Sequence, residues 1–308
     1  MIIVIVGPTG VGKTALSIAL AKHYNSEIIS GDSVQVYQEL NIGSAKIKNK
    51  DMDAIPHHMI DILLPNESFS VADYQARVRA KINELQAKNI TPILVGGTGF
   101  YIKSVLHDFS FDQAHRPDSY DAYYSDLSND LLHEKLQETD PKSANAIHKN
   151  NRKRVLQALY RAEQGVKRSD QDSHNDPVYD YLMIGLTLDR ETLYERINHR
   201  VDTMFDKGLI EEVKTLYQTY GETQSLEAIG YKELIGYFKG YYDLDTAKTL
   251  IKTKSRQYAK KQFTYFKNQF DVQWLTVNID NFKETIDKAI KIIERNSKIN
   301  HKKERIKP

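Results

Sequence analysis

The chain opens MIIVIVGPTGVGKT, a β-branched run that breaks into a glycine-rich turn and then into a helix-forming segment. Few local patterns restrict a fold so tightly. Residues 2 to 6 are apolar without alternation, which suits a strand buried on both faces, as in a parallel sheet. The turn matches G-x-x-x-x-G-K-[ST] through Gly7, Gly12, Lys13 and Thr14, with a strand before it and a helix after it. Glycines let the backbone curl so that successive N–H groups point inward, and the helix N-terminus adds positive potential. Lys13 adds a point charge, and Thr14 a hydroxyl for a metal such as Mg2+. The motif predicts a polyphosphate site made by Gly7, Pro8, Thr9, Gly10, Val11, Gly12, Lys13 and Thr14. It leaves open which molecule carries the phosphates.

The segments that follow extend the same architecture. Residues 14 to 24 have helical periodicity, 27 to 30 and 90 to 97 read as strands, and 71 to 88 as a helix between them. Strands alternating with helices predict βαβ units in a three-layer α/β core. From about Asp112 the chain turns polar and reads as short helices up to about residue 180, the pattern of an inserted helical subdomain. A strand over 179 to 189, a helix over 190 to 207 closed by Gly208, and a last strand over 272 to 278 return the chain to the core.

With 308 residues, 40% of them hydrophobic, there is material for one large domain or two. The absence of cysteine excludes disulfides and Cys-based zinc sites. The apolar run at the start is too short for a membrane span and lacks signal-peptide flanks, so a soluble cytoplasmic protein is expected. Net charge is +2, but from Lys248 onward there are sixteen Lys and Arg against six Asp and Glu. That segment carries +10 and the remainder −8, an asymmetry that points to a polyanionic partner.

An NTPase wants a metal-binding acid at the end of a strand beside the loop. The strand at 90 to 97 ends instead in Val95-Gly-Gly-Thr98, and Asp61 in HHMIDIL has only a weakly strand-like setting. The acid that follows a strand is Asp32, near the loop if the first two strands are neighbours. One acid, one hydroxyl-bearing glycine turn and a phosphate cradle suit a transferase better than an ATPase.

Three stretches, GPTGVGKT, GDSVQVYQELNIGSAK and LVGGTGFYIKSVL, together resemble the tRNA dimethylallyltransferases, or tRNA isopentenyltransferases. PHHMIDI, RVLQALY, RINHRVDTMFDKGLIEEV, AIGYKEL and SRQYAKKQFTYF carry the resemblance over nearly the whole chain. It implies a P-loop kinase-like core with a parallel sheet and an inserted all-helical subdomain. The core would run over 1–111 and 181–308, and the tRNA-contacting insert over 112–180. It implies transfer of a dimethylallyl group from dimethylallyl diphosphate to N6 of the adenosine at position 37, 3′ of the anticodon. The tRNAs would be those reading codons that begin with U, and the products N6-isopentenyladenosine and diphosphate. Mg2+ would assist, and the protein would act as a monomer on the anticodon stem-loop.

Physics and resemblance together assign the roles. Charge grows on the departing diphosphate, so Lys13, Thr14 with Mg2+, the loop N–H groups and the Arg200 of R-I-x-x-R would stabilise it. Asp32 matches the acid that takes the N6 proton, and Thr98 the residue that orients the same amine; Thr98 also suits a helix N-cap. Ser33, Val34 and Gln35 match the stretch facing the extruded base. Lys252, Arg256 and Lys260, with Lys248 before them, form a stripe at spacing four for RNA phosphates, and Arg152, Lys153 and Arg154 a second cluster. The interleaved Tyr258, Phe263, Tyr265 and Phe266 read as core. Lys261 and Lys267 stand where the family favours arginine, keeping charge without the planar fork. No zinc finger like that of some eukaryotic relatives can form, and His57 and His58 read as packing or polar-network residues. A kinase using ATP shares the loop and the βαβ opening; the basic C-terminal helix and the VGGT strand end argue against it. A non-catalytic RNA binder would not require Asp32 and Thr98 beside an intact loop.

Overall fold

A computed structural model describes residues 1–109, 116–165 and 176–304. Six strands form one sheet: β1 (Ile2–Val6), β2 (Ile28–Gly31), β3 (His57–His58), β4 (Ile93–Gly96), β5 (Tyr181–Thr187) and β6 (Gln273–Thr276). Every pair is parallel and the order is β3-β2-β4-β1-β5-β6. The helices packed on it are α1 (Lys13–Tyr24), α2 (Val71–Ala87) and α3 (Gly99–Leu106) from the first stretch of chain. Four helices belong to the insert: α4 (Asp118–Tyr123), α5 (Asn129–Thr139), α6 (Pro141–Ala146) and α7 (Arg152–Glu163). The remainder are α8 (Arg190–Asp206), α9 (Leu209–Tyr220), α10 (Tyr231–Phe238), α11 (Leu244–Gln269) and α12 (Phe282–Glu304).

The unbroken apolar run of β1 is explained by its central place. Side chains alternate across a strand, so Ile2, Val4 and Val6 enter one core with Val78 and Ile82 of α2 and Phe266 of α11. Ile3 and Ile5 enter the other, with Leu16 and Leu20 of α1 and Ile293 of α12. All five are at most 1% exposed, each worth about 1.5–3 kcal/mol relative to exposure. Helix starts are written in the sequence: Ser70 and Asp73 form a reciprocal capping box for α2, while Asp189 and Asp243 cap α8 and α11.

Two details depart from the sequence reading. β1 and β2 are not neighbours; β4 lies between them, paired to both. The β1-α1-β2 crossover skips one position, which the later strand fills. The HHMIDIL segment supplies a two-residue edge strand, β3, too short for a periodic signal.

The chain divides into two compact units, 1–107 with 177–308, and 108–176. The smaller one, built from α4 to α7, has its own core of Leu132, Leu136, Ile147, Val155, Leu156 and Leu159. The expected start of the insert at Asp112 lies outside the described residues. No helix among the described residues is long and apolar enough to cross a membrane.

Candidate active site

β1 delivers residues 7–14 to the C-terminal edge of the sheet. Gly12, the residue before α1, has φ 110°, a conformation that side chains rarely adopt. It has no side chain to cap the helix, and the first turn of α1 holds no acid. The helix N-terminus therefore keeps its N–H groups and positive end for an anion. Lys13 Nζ donates to the carbonyls of Gly7 and Pro8, at 2.9 Å each. Burial, then the charge of Arg200, pulls the Lys13 ammonium from 10.5 down to about 8, with Asp32 opposing. A bound anion would counter both depressing effects. Thr9 differs from its expected part in the cradle, because its N–H is taken by Gln262 Oε1 at 2.9 Å.

The second wall comes from α8. Arg200 is half-buried and, among the described residues, has no ion pair or hydrogen bond. Burial weighs against its charge and Asp32 supports it. One turn earlier, Arg196 Nε donates to the Gly10 carbonyl at 3.0 Å. Arg196 and His199 line the cleft beside Arg200, and the sequence reading missed both. The four-residue spacing of Arg196 and Arg200, which puts them on one helix face, was the available signal.

Two clefts meet at these residues. One, of about 520 Å3, is lined by the phosphate loop, Gln35, His57, Ile47, Ile60 and Arg196. The other, of about 330 Å3, is lined by Ser33, Val34, Ser44, Met204, Gly230 and Tyr258. Thr9, Asp32 and Arg200 belong to both. Val34 and Gln35 donate their N–H groups to Asp32 Oδ1, at 2.8 and 3.2 Å. That fixes the carboxylate in a turn, not at a helix start, and leaves Oδ2 without a protein donor among the described residues. Thr98 precedes α3, yet its hydroxyl makes no cap. It accepts the N–H of Ser33 at 3.2 Å instead, joining the β4 turn to the Asp32 turn. Gln35 is held between Ser30 Oγ and the Ser44 carbonyl and faces the loop-side cleft. Glu212 of α9 accepts the N–H groups of Asn41, Ile42 and Gly43, plus the Tyr231 hydroxyl, and so braces the segment leading to Ser44.

β4 lies beside β1 and ends at Gly96, with Gly97 following, so a glycine pair occupies the place where an NTPase wants an acid. Asp61 instead holds Lys46 at 2.5 Å. His58 Nε2 meets Glu27 at 2.6 Å, and His57 Nδ1 donates to the Ile55 carbonyl at 2.8 Å. Among the described residues no cluster of three acids or histidines could hold a metal alone.

The basic stripe of α11 is mostly occupied. Lys248 and Lys252 both pair with Asp202 at 2.8 Å, and Arg256 donates to Asn198 Oδ1 at 2.6 Å. Lys260 stays exposed, beside Lys261. Phe266 is fully buried and Phe263 packs on Trp274, whereas Tyr258 keeps 37% of its surface and lines the second cleft. Burial, then the charge of Asp32, raises its hydroxyl above the usual range. In the smaller unit Arg152 holds the carbonyls of Leu127, Tyr124 and Ser125. Lys153 and Arg154 are exposed.

Residues 35–269 match the family model described as IPP transferase. A tRNA dimethylallyltransferase of Bacillus pumilus is 53% identical over 283 residues, covering 89% of this chain and 88% of that protein. The crystal structure of the full-length tRNA isopentenylpyrophosphate transferase of Bacillus halodurans is 42% identical, with TM-score 0.74 over 97% of this chain and 99% of that one. A eukaryotic dimethylallyltransferase acting on tRNA is 27% identical, with TM-score 0.85 over 97% of this chain and 79% of that one.

Proposed function

The chain belongs to the IPP transferase family, and from that premise we propose that it transfers a dimethylallyl group from dimethylallyl diphosphate to N6 of the adenosine at position 37 of tRNA. The observation that carries this reading is the junction of two clefts at Asp32, Arg200 and Thr9. The phosphate-loop cleft would take the donor, and the cleft walled by Ser33, Val34 and Tyr258 the extruded base.

The donor's C1–O bond breaks with its electron pair passing to the diphosphate, while the N6 lone pair forms the bond to C1. Lys13, Arg200 and the N-terminus of α1 meet the charge that grows on the leaving group. Asp32 Oδ2, the oxygen left without a protein donor, takes the N6 proton, which becomes acidic only as nitrogen gains positive character. Thr98 orients the amine from the other side. The product is N6-isopentenyladenosine with diphosphate.

The Thr14 hydroxyl, which lines the phosphate-loop cleft, suits Mg2+, an ion that keeps waters and shares substrate phosphates. When bound, Mg2+ would neutralise part of the diphosphate charge, with Thr14 among its ligands. Base extrusion costs a few kcal/mol and would be offset by the fitted cleft. Exposed Lys260, Lys153 and Arg154 would contact RNA phosphates. The tRNAs acted on would be those that read codons beginning with U, with the protein working as a monomer in the cytoplasm.

The test uses radiolabelled dimethylallyl diphosphate and unmodified tRNA, with and without ATP. Label is expected in RNA in both arms. Label absent from RNA, or present only with ATP, would overturn the reading.

A further inference from the structure

Gln262 of α11 is 5% exposed and its amide is engaged at both ends. Oε1 accepts the Thr9 N–H at 2.9 Å, and Nε2 donates to the Gly97 carbonyl at 3.0 Å. These partners fix which end is oxygen. Thr9 belongs to the phosphate loop, and Gly97 immediately precedes Thr98. A single rigid amide thus ties the leaving-group cradle to the turn that carries the amine-orienting hydroxyl.

The surroundings are shaped for this bridge. A Cβ on Gly97 would come within 2.1 Å of Gln262 Nε2, and one on Gly99 within 2.2 Å of the Tyr265 ring. The VGGTG turn can therefore approach α11 only because both positions are glycine. Glutamine carries a donor and an acceptor on one plane at every pH, whereas a glutamic acid of the same length does so only while protonated. Ionised glutamate could accept from Thr9 but has nothing to donate to Gly97, and methionine does neither at any pH.

Resting on the prenyl-transfer reading above, we infer that Gln262 is a positioning residue that keeps the donor cradle and the acceptor turn in register, coupling C1–O cleavage to C1–N6 formation. If the register loosens, C1–O can still break with its electrons leaving on the diphosphate. Water then captures C1, its proton passes to solvent, and the products are a prenyl alcohol and diphosphate. A displacement of about 1 Å lowers transfer by about 10²-fold, but capture by mobile water has no such demand on alignment.

The experiment follows diphosphate release and RNA labelling together for wild type, Gln262→Met and Gln262→Glu with bound tRNA. Wild type should release one diphosphate per group transferred. Both variants should transfer about tenfold to a hundredfold more slowly, with KM for either substrate within about threefold and the release-to-transfer ratio well above one. Partial unfolding would lower both readouts together and leave the ratio at one. A ratio of one in both variants overturns the inference, whether or not the rates fall. Failure of the wild type to label RNA would instead overturn the prenyl-transfer reading itself, so the two failures are distinct.

Discussion

Two helices that pack together, α8 and α11, both carry cations at four-residue spacing, and they use them in opposite ways. On α11, Lys248 and Lys252 share Asp202, and Arg256 holds Asn198. On α8, Arg200 has no protein partner among the described residues and faces both clefts, while Arg196 holds only the Gly10 carbonyl. The arrangement follows from helix geometry. Asn198 and Asp202 lie two residues on from Arg196 and Arg200, about 200° around the axis. One face of α8 zips to α11, and the opposite face presents its arginines to the clefts. The stripe that looks most like an RNA grip thus does much of its work inside the protein. Arg200, without a protein partner among the described residues, is the cation of α8 that lines both clefts.

The largest expected effect tests that contrast directly. Arg200→Ala should lower kcat by about 10² to 10³, the loss seen when one donor to a developing anion is removed. Affinity for tRNA should hardly change. Lys252→Ala should leave kcat within about twofold, since Lys248 still faces Asp202. Steady-state kinetics on both variants decides the matter: comparable losses of kcat would erase the distinction between the two faces.

A smaller effect concerns proton linkage at Lys13, where Arg200 is the second cause of the depressed ammonium after burial. A diphosphate needs this group charged. In the free protein burial and Arg200 lower the ammonium pKa to about 8, so affinity for inorganic diphosphate, corrected for the diphosphate's own protonation steps, should be flat below that pH. Above it, affinity should fall up to tenfold per pH unit, about 1.4 kcal/mol, with a proton taken up on binding. In Arg200→Ala the inflection should move toward higher pH, because a repelling charge is gone. Calorimetric titrations between pH 6.5 and 9.5 in two buffers would measure both. An inflection that stays in place would show that Arg200 does not act on Lys13 at all.

The contrast also marks what the sequence could reveal. Features set by neighbours in the chain were legible: the buried run of β1, the loop from Gly7 to Thr14, and the four-residue spacing of Arg196 and Arg200. Asp32 and Thr98 could be picked out because each follows a strand into the same edge of the sheet. The condition attached to Asp32, that β1 and β2 be adjacent, did not hold. Even so, β4 between them brings Thr98 beside the Asp32 turn through Ser33. Long-range partners were not legible. Asp202 lies far from Lys248 in sequence, and Thr9 farther still from Gln262. Periodicity registers which face a residue occupies, but not which distant group meets it there.

The smallest effect separates free cations from committed ones within α11 itself. Each lysine that neutralises an RNA phosphate adds about one unit to the slope of log affinity against log salt. Lys260 is exposed, whereas Lys252 already faces Asp202. Lys260→Ala should therefore lower the magnitude of the slope by about one with little change in folding stability. Lys252→Ala should leave the slope unchanged and cost about 0.2–1 kcal/mol of stability, the range for a solvent-exposed ion pair. Filter binding across a salt series, with denaturant melts of the same variants, measures the two quantities independently. The opposite pattern would mean that Lys252 leaves Asp202 for the RNA, making the α8–α11 zipper a reserve of charge released on binding.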